Sequence, residues 1–206
     1  MPTTRLLVMR HGESEGNVAR IWTSARVGYP LTERGRAQAR AAGGRVADRS
    51  ISAVYGSPLV RAHETAAEVA EVLGLEVRVL EGVEELHVGV HEGSHDDDVA
   101  PIAMEVFGRW MREGDLEHGF QGGETGHQIA ARMSEALNRV ADAHPDEAIV
   151  VVSHGGSMAV GVAALCDNIG VEFVGEHMLR NTDVVEIVRS DAGWQCVAWA
   201  GRVPEI

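Results

Sequence analysis

Cysteine is nearly absent. Cys166 and Cys196 are the only two, which supplies neither a disulfide framework nor a zinc motif. A reduced, cytoplasmic setting is therefore the expectation. Long apolar runs are missing too. Ala148–Ser153 and Gly155–Leu165 are apolar, but Ser153-His154 separates them and glycines break the second, so no membrane span is expected. The first apolar run leads straight into Arg10-His11 without a cleavage-like site, which argues against a signal peptide. Basic residues are scarce, at 18 against 31 acids, and the net charge of −13 would repel nucleic acid and anionic membranes over the whole surface. It leaves room for a small phosphate ester in one locally positive pocket. No internal repeat, low-complexity tract or linker divides the 206 residues, so one sizeable domain over 1–206 is expected.

What is present is alternation. Residues 4–10 read as a buried strand, and Thr32 can cap a helix running to about Asp48. A second short strand over 51–55 is closed by Gly56-Ser57-Pro58, and Pro58 suits the first turn of a helix that Gly74 ends. Residues 75–80 alternate as an edge strand does, and 81–98 read as a long polar loop. Val99, Ile102, Val106 and Trp110 share one helical face, as do Ile129, Met133, Ala136 and Val140, the latter helix stopped by His144-Pro145. Ala148–Ser153 has the composition of a central strand covered on both faces, followed by a small-residue helix. Two late strands over 184–188 and 195–199 flank an Asp191-Ala192-Gly193 turn. The expected fold is α/β, a three-layer α/β/α sandwich around a mostly parallel sheet.

In such sheets ligands gather beyond the carboxyl ends of the strands. The first strand is followed by Arg10-His11-Gly12 and the second by Ser57-Pro58-Leu59-Val60-Arg61. The third leads to Glu84-Glu85-Leu86-His87-Val88-Gly89, and the valine-rich strand to Ser153-His154-Gly155-Gly156. Two histidines, two arginines and an acid pair thus converge on one edge. Arginines match phosphate oxygens as permanent planar donors, and the amides that open a helix at Gly155 can face an anion. A neutral imidazole can attack phosphorus, and a carboxylic acid can protonate a departing alkoxide. The choice of groups points to phosphoryl transfer. No dinucleotide glycine pattern accompanies them.

Five ordered blocks carry a resemblance. They are Arg10-His11-Gly12-Glu13-Ser14 with Asn17, Leu31-Thr32-x-x-Gly35-x-x-Gln38-Ala39, Ser57-Pro58-x-x-Arg61-Ala62-x-x-Thr65-Ala66, Gly123-Glu124-Thr125 and Ser153-His154-Gly155-Gly156. Together they resemble the histidine phosphatase superfamily, also called phosphoglycerate mutase-like. The resemblance implies that His11 is the nucleophile and forms a phosphohistidine, with Arg10, Arg61 and His154 clamping the phosphoryl oxygens. It also implies Asn17 and the Gly155 amide as further donors, and Glu85 as proton donor, with Glu84 as rival if the loop register differs. The implied enzyme is a histidine acid-type phosphatase acting on a small phosphorylated metabolite without metal or cofactor. A phosphoglycerate mutase and a phosphate-binding member without turnover are the alternatives.

Departures bear on the substrate. Many members of that family carry tryptophan where Gly16 and His91 stand, and some phosphatases have Gln-Gly at Thr23-Ser24. His87, His91 and His95 recur beside Asp96-Asp97-Asp98 as a metal site might, but Gly89 and Gly93 make a continuous helix there doubtful, and a solvated loop and helix start is the plainer reading. That loop is expected to wall the substrate pocket, together with residues 21–30 and the rest of 91–123, and its acids to disfavour substrates with extra phosphates. Glu124 is expected to support the clamp residues, and Cys166 to pack in the core. Trp110, Trp194 and Trp199 with the late strands leave a homodimer interface and internal packing both open.

Overall fold

In β1 (Thr4–Arg10) four consecutive apolar residues, Leu6 to Met9, are buried. Such a run is stable as a strand only where both faces are covered. The computed structural model describes residues 3–25 and 28–204; Arg26 and Val27, within the expected pocket wall 21–30, lie outside the described residues. Leu6 and Val8 point to one layer, with Ile149, Val151 and the helices α5 (Gly126–Ala143) and α6 (Gly155–Leu165). Leu7 and Met9 point to the other, with Val150, Val152 and the helices α2 (Glu33–Val46) and α3 (Val60–Leu73). The three-layer α/β/α sandwich follows from this period-two division.

The remaining strands are β2 (Ile51–Gly56), β3 (Val77–Val79), β4 (Ala148–Ser153), β5 (Val184–Ser190) and β6 (Gly193–Trp199), in the sheet order β3-β2-β4-β1-β5-β6. The first four in that order are parallel, and β5 and β6 add an antiparallel hairpin. The valine-rich β4 is central and the short β3 is an edge, as its alternation suggested. Two small helices, α1 (Glu15–Ala19) and α7 (Val171–Glu176), flank α4 (Asp96–Gly108) in the chain order.

Several boundaries differ from the expectation: β3 is shorter than 75–80, the late strands are longer than 184–188 and 195–199, with Gly193 inside the second, and two further differences concern helix starts. The polar stretch does not stay a loop to Asp98: α4 begins at Asp96, with the His95 side chain accepting the Asp97 amide at 3.3 Å. Three aspartates in the first turn lie where the helix dipole favours negative charge, so the acidic run is the helix start it also suggested, and only the loop's end lies earlier than Asp98. Pro58 lies outside the first turn of α3, whose first helical residue is Val60 and whose extended cap is Leu59. Trp110, Trp194 and Trp199 are buried in the chain's own core, which accounts for them without a second copy. Among the described residues no helix is long and apolar enough to cross a membrane.

One contact fixes where β1 delivers its last residues. A Cβ on Gly12 would meet the Gly35 carbonyl oxygen at 2.6 Å, and one on Gly35 would meet that of Glu13 at 2.0 Å. The turn after β1 therefore lies directly on the start of α2. Gly35→Ala is expected to cost about 1–3 kcal/mol of stability. Gly44→Ala, in the same helix with nothing within 4 Å of the added carbon, is expected to gain about 0.5–1 kcal/mol. Denaturant unfolding of the two variants checks this, and a Gly35→Ala protein as stable as the parent would remove the contact from the account.

Candidate active site

The register of β1 against β4 sets Arg10 opposite Ser153, and the His11 amide donates to the Ser153 carbonyl at 3.0 Å. Two adjacent parallel strands thus end together, and the rings of His11 and His154 lie 5.2 Å apart. The neighbouring blocks lock this arrangement. Thr65 Oγ1 accepts the Gly12 amide at 3.0 Å and donates to the Arg61 carbonyl at 2.7 Å. Gln38 Oε1 accepts the Glu13 amide at 2.8 Å, and Ser57 Oγ pairs with His154 Nε2 at 2.9 Å. The spaced residues of the sequence blocks are therefore one contact set around the turn after β1.

His11 is buried, and its Nδ1 pairs with the Gly12 carbonyl at 2.7 Å. A carbonyl only accepts, so Nδ1 carries the proton and Nε2 keeps its lone pair. Arg61 Nε donates to that Nε2 at 3.1 Å. Burial, then Arg61 and Arg10, holds the His11 pKa well below its usual value, and burial with Arg61 does the same to His154. Both imidazoles are neutral at pH 7.

The arginines are incompletely satisfied. Arg10 Nη1 donates to the Leu179 carbonyl, and Arg61 Nη2 to the Thr23 carbonyl at 3.0 Å. Three buried side-chain atoms, Arg10 Nε, Arg61 Nη1 and His154 Nδ1, have no partner among the described residues. An unpaired buried polar atom is costly, and all three of these belong to one site. Its cavity, about 340 Å³, is lined by Arg10, His11, Asn17, Arg61, Glu85 and Gly155 among others. His154 lies beside His11 rather than on the open cavity wall.

The two acids separate. Glu85 lines the cavity, its carboxylate accepting the amides of Leu86 at 3.0 Å, Ser157 at 2.9 Å and Gly156 at 3.3 Å. Glu84 turns away and accepts the Gly82 amide at 2.7 Å, with its pKa raised by burial and by a hydrogen bond with Glu81. Glu124 supports the acid's loop rather than the arginine clamp. It holds Arg132 through both oxygens, at 2.7 and 2.9 Å, and accepts the His87 amide at 2.9 Å. Arg132 in turn donates to the carbonyls of Gly82 and Glu84 at 3.0 and 2.9 Å.

Asn17 is exposed at the rim. Its Oδ1 accepts from the Ser14 amide at 3.2 Å and from Asn181 Nδ2 at 3.3 Å, which leaves its own Nδ2 to donate. Asn181 also donates to the His11 carbonyl at 3.0 Å. Arg132 and Asn181 carry no signal in the sequence, since their partners lie far along the chain. Glu92 is a third such residue. Its carboxylate gathers Thr23 Oγ1, the Ser24 amide and hydroxyl and the Ala25 amide at 2.5–3.3 Å. That shapes the turn whose Thr23 carbonyl holds Arg61. The three histidines of the same segment do not join: His95 caps α4, His91 lies edge-on to Phe120 at 6.3 Å, and among the described residues no group of three or more metal-binding side chains forms.

Comparison with known proteins gives one answer. The sequence model of the histidine phosphatase superfamily (branch 1) matches residues 6–201. Phosphoserine phosphatase 1 of Hydrogenobacter thermophilus is 32% identical over 193 residues, covering 88% of this chain and 90% of that protein. Phosphoglycerate mutase-like protein 4 of Arabidopsis thaliana is 35% identical over 156 residues, covering 73% and 66%. A mycobacterial glucosyl-3-phosphoglycerate phosphatase solved with VO3 superposes with a TM-score of 0.82 at 26% identity, over 96% of this chain and 99% of that one. With Arg10, His11 and His154 at the ends of two central strands and Arg61 on the helix after a third, this chain belongs to the histidine phosphatase superfamily, branch 1.

Proposed function

We propose that this superfamily member is a phosphomonoesterase for a small phosphorylated metabolite and works through a phosphohistidine on His11. The observation that carries this reading is the set of three unpartnered buried atoms on Arg10, Arg61 and His154 around a neutral imidazole. A phosphoryl group is the ligand that satisfies such a set, with planar guanidinium donors meeting its oxygens. Asn17 and the Gly155 amide, at the start of α6, complete the clamp.

His11 Nε2 attacks phosphorus as the bond to the ester oxygen breaks. The charge that develops on the ring is met at Nδ1 by the Gly12 carbonyl. Glu85, in its acid form, gives its proton to the departing alkoxide. The resulting carboxylate then takes a proton from water as that water attacks the phosphohistidine, releasing inorganic phosphate and restoring His11. Arg10 and Arg61 supply fixed positive charge at the transferring group, so the reaction as written calls for no metal or cofactor.

The deciding experiment follows release of phosphate from p-nitrophenyl phosphate and a metabolite panel, with alkaline-quench trapping of the labelled enzyme. The parent protein is expected to turn over and to yield a base-stable, acid-labile phosphohistidine, and His11→Ala to do neither. Turnover retained by His11→Ala would refute the nucleophile assignment. With 3-phosphoglycerate and bisphosphoglycerate together, isomerisation faster than phosphate release would make the chain a mutase instead.

Glu85→Gln is expected to slow alkyl phosphates on the order of 10²-fold or more, the usual scale of general acid catalysis. With p-nitrophenyl phosphate, whose leaving group needs no proton, the same variant is expected to give a stoichiometric burst of p-nitrophenol before slow turnover. Equal slowing of both ester classes with no burst would move the acid elsewhere.

The pH profile has a defined sign. A protonated imidazole cannot attack, and the His11 pKa lies well below 6.5, so activity survives as pH falls through that value. The acid limb of kcat/KM is therefore expected well below pH 6.5. A limb centred at 6.5 or above would show that His11 is neither desolvated nor flanked by cations as described.

A further inference from the structure

The cavity ending at His11 has two halves of different chemistry. Its floor is the charged clamp. Its outer part carries the apolar side chains of Ile21, Trp22, Phe107 and Met178 beside Asn17, Thr23 and Asp96. Trp22 and Phe107 are backed by other rings, at 6.0 Å to Phe120 and 5.1 Å to Trp110, so the wall is braced from behind. Met178, 58% exposed, stands at the mouth.

Among the described residues lining the outer half, Arg20 is the only cation, and it is already engaged. Its Nη2 donates to Asp96 Oδ2 and to Asp97 Oδ1, each at 2.7 Å. Asp96 is fixed in turn, because Oδ1 accepts from Trp22 Nε1 at 2.8 Å and its amide donates to the Arg20 carbonyl at 2.7 Å. One positive and two negative charges leave this group net negative. A second anion on the substrate would have to displace an aspartate from Arg20 or lie beside both. An apolar body, by contrast, would cover exposed tryptophan, phenylalanine and methionine surface.

We infer that the site takes phosphate monoesters whose alcohol portion is an uncharged ring or branched chain, and turns away esters bearing a second anion. The inference rests on the phosphomonoesterase reading and adds the substrate class to it.

The test compares kcat/KM for three alkyl esters, 2-phenylethyl phosphate, 2-phosphoglycolate and 3-phosphoglycerate, so that aryl leaving-group acidity plays no part. Purified parent protein is used, with p-nitrophenyl phosphate as a reporter of the chemistry. The phenylethyl ester is expected to lead each anionic ester by about tenfold or more, a one-charge discrimination. In Asp96→Asn/Asp97→Asn, which keeps an oxygen acceptor for Trp22, Arg20 is released and the preference is expected to shrink several-fold. Equal or reversed preference in the parent, with p-nitrophenyl phosphate still hydrolysed, overturns this inference and leaves the phosphatase reading standing. An unchanged preference in a folded double variant removes the Arg20–aspartate group as its cause and overturns the inference in that form. No turnover of any ester, p-nitrophenyl phosphate included, is the separate failure of the phosphatase reading itself.

Discussion

Two guanidinium groups withdrawn from water, with more donors than acceptors around them, are the constraint on which this structure turns. Burial lowers the pKa of both Arg10 and Arg61, yet a guanidinium stays charged in a protein. Partial compensation comes from Glu85 and Asp183 beside Arg10, and from Glu85 and Glu92 beside Arg61. Backbone carbonyls of Leu179 and Thr23 take one donor each. The remainder is left for an anion, and burial first, with the same positive charges second, keeps His11 and His154 neutral. Binding site and nucleophile are thus consequences of one electrostatic arrangement rather than two separate devices.

The fold makes that arrangement affordable by rigidity. The two histidines come from the ends of adjacent central strands whose register is set by six paired residues, and a one-residue slip would turn every side chain to the opposite layer. Gly12 and Gly35 let the turn after β1 lie on α2 at a distance no side chain would allow. Gly161 plays a similar part on the opposite layer: a Cβ there would meet Met133 at 2.5 Å, which is why α6 can approach α5 closely enough to present its first amides to Glu85. Small residues in this chain mark close approach at positions that aim the site.

Much of this was legible in sequence because it is local. A strand ending in Arg10-His11-Gly12 and another ending in Ser153-His154-Gly155 announce a shared edge, and period-two burial then brings them together. The blocks containing Gln38, Ser57, Arg61 and Thr65 were readable as positions, and the structure supplies their reasons in hydrogen bonds to the same turn. What could not be read is whatever depends on partners distant in the chain. Arg132 braces a loop 48–50 residues earlier, Asn181 reaches back 170 residues to His11, and Glu92 shapes a turn 67–69 residues before it. Adjacent Glu84 and Glu85 are indistinguishable as letters. They separate only when the amides at the start of α6 select one carboxylate and the Gly82 amide the other. The end of the loop before α4 was misplaced because three aspartates have the composition of a loop and the position of a helix N-terminus.

The same geometry bears on what becomes of phosphate once it is on His11. Returning it to an alcohol requires that water be kept away from the phosphohistidine, whereas hydrolysis needs only a base and an open approach. Here the proposed nucleophile, His11, is buried but the cavity above it opens between exposed Asn17, the half-exposed Arg20 side chain and exposed Met178. Glu85, the proposed base, faces that cavity from a loop fixed by Arg132 and Glu124, so its position does not depend on a substrate body filling the outer half. Release of the alcohol would expose the phosphohistidine to water on the side where a held carboxylate already stands. On the proposed mechanism the arrangement favours hydrolysis over return, and it does so through rim exposure rather than through the clamp itself.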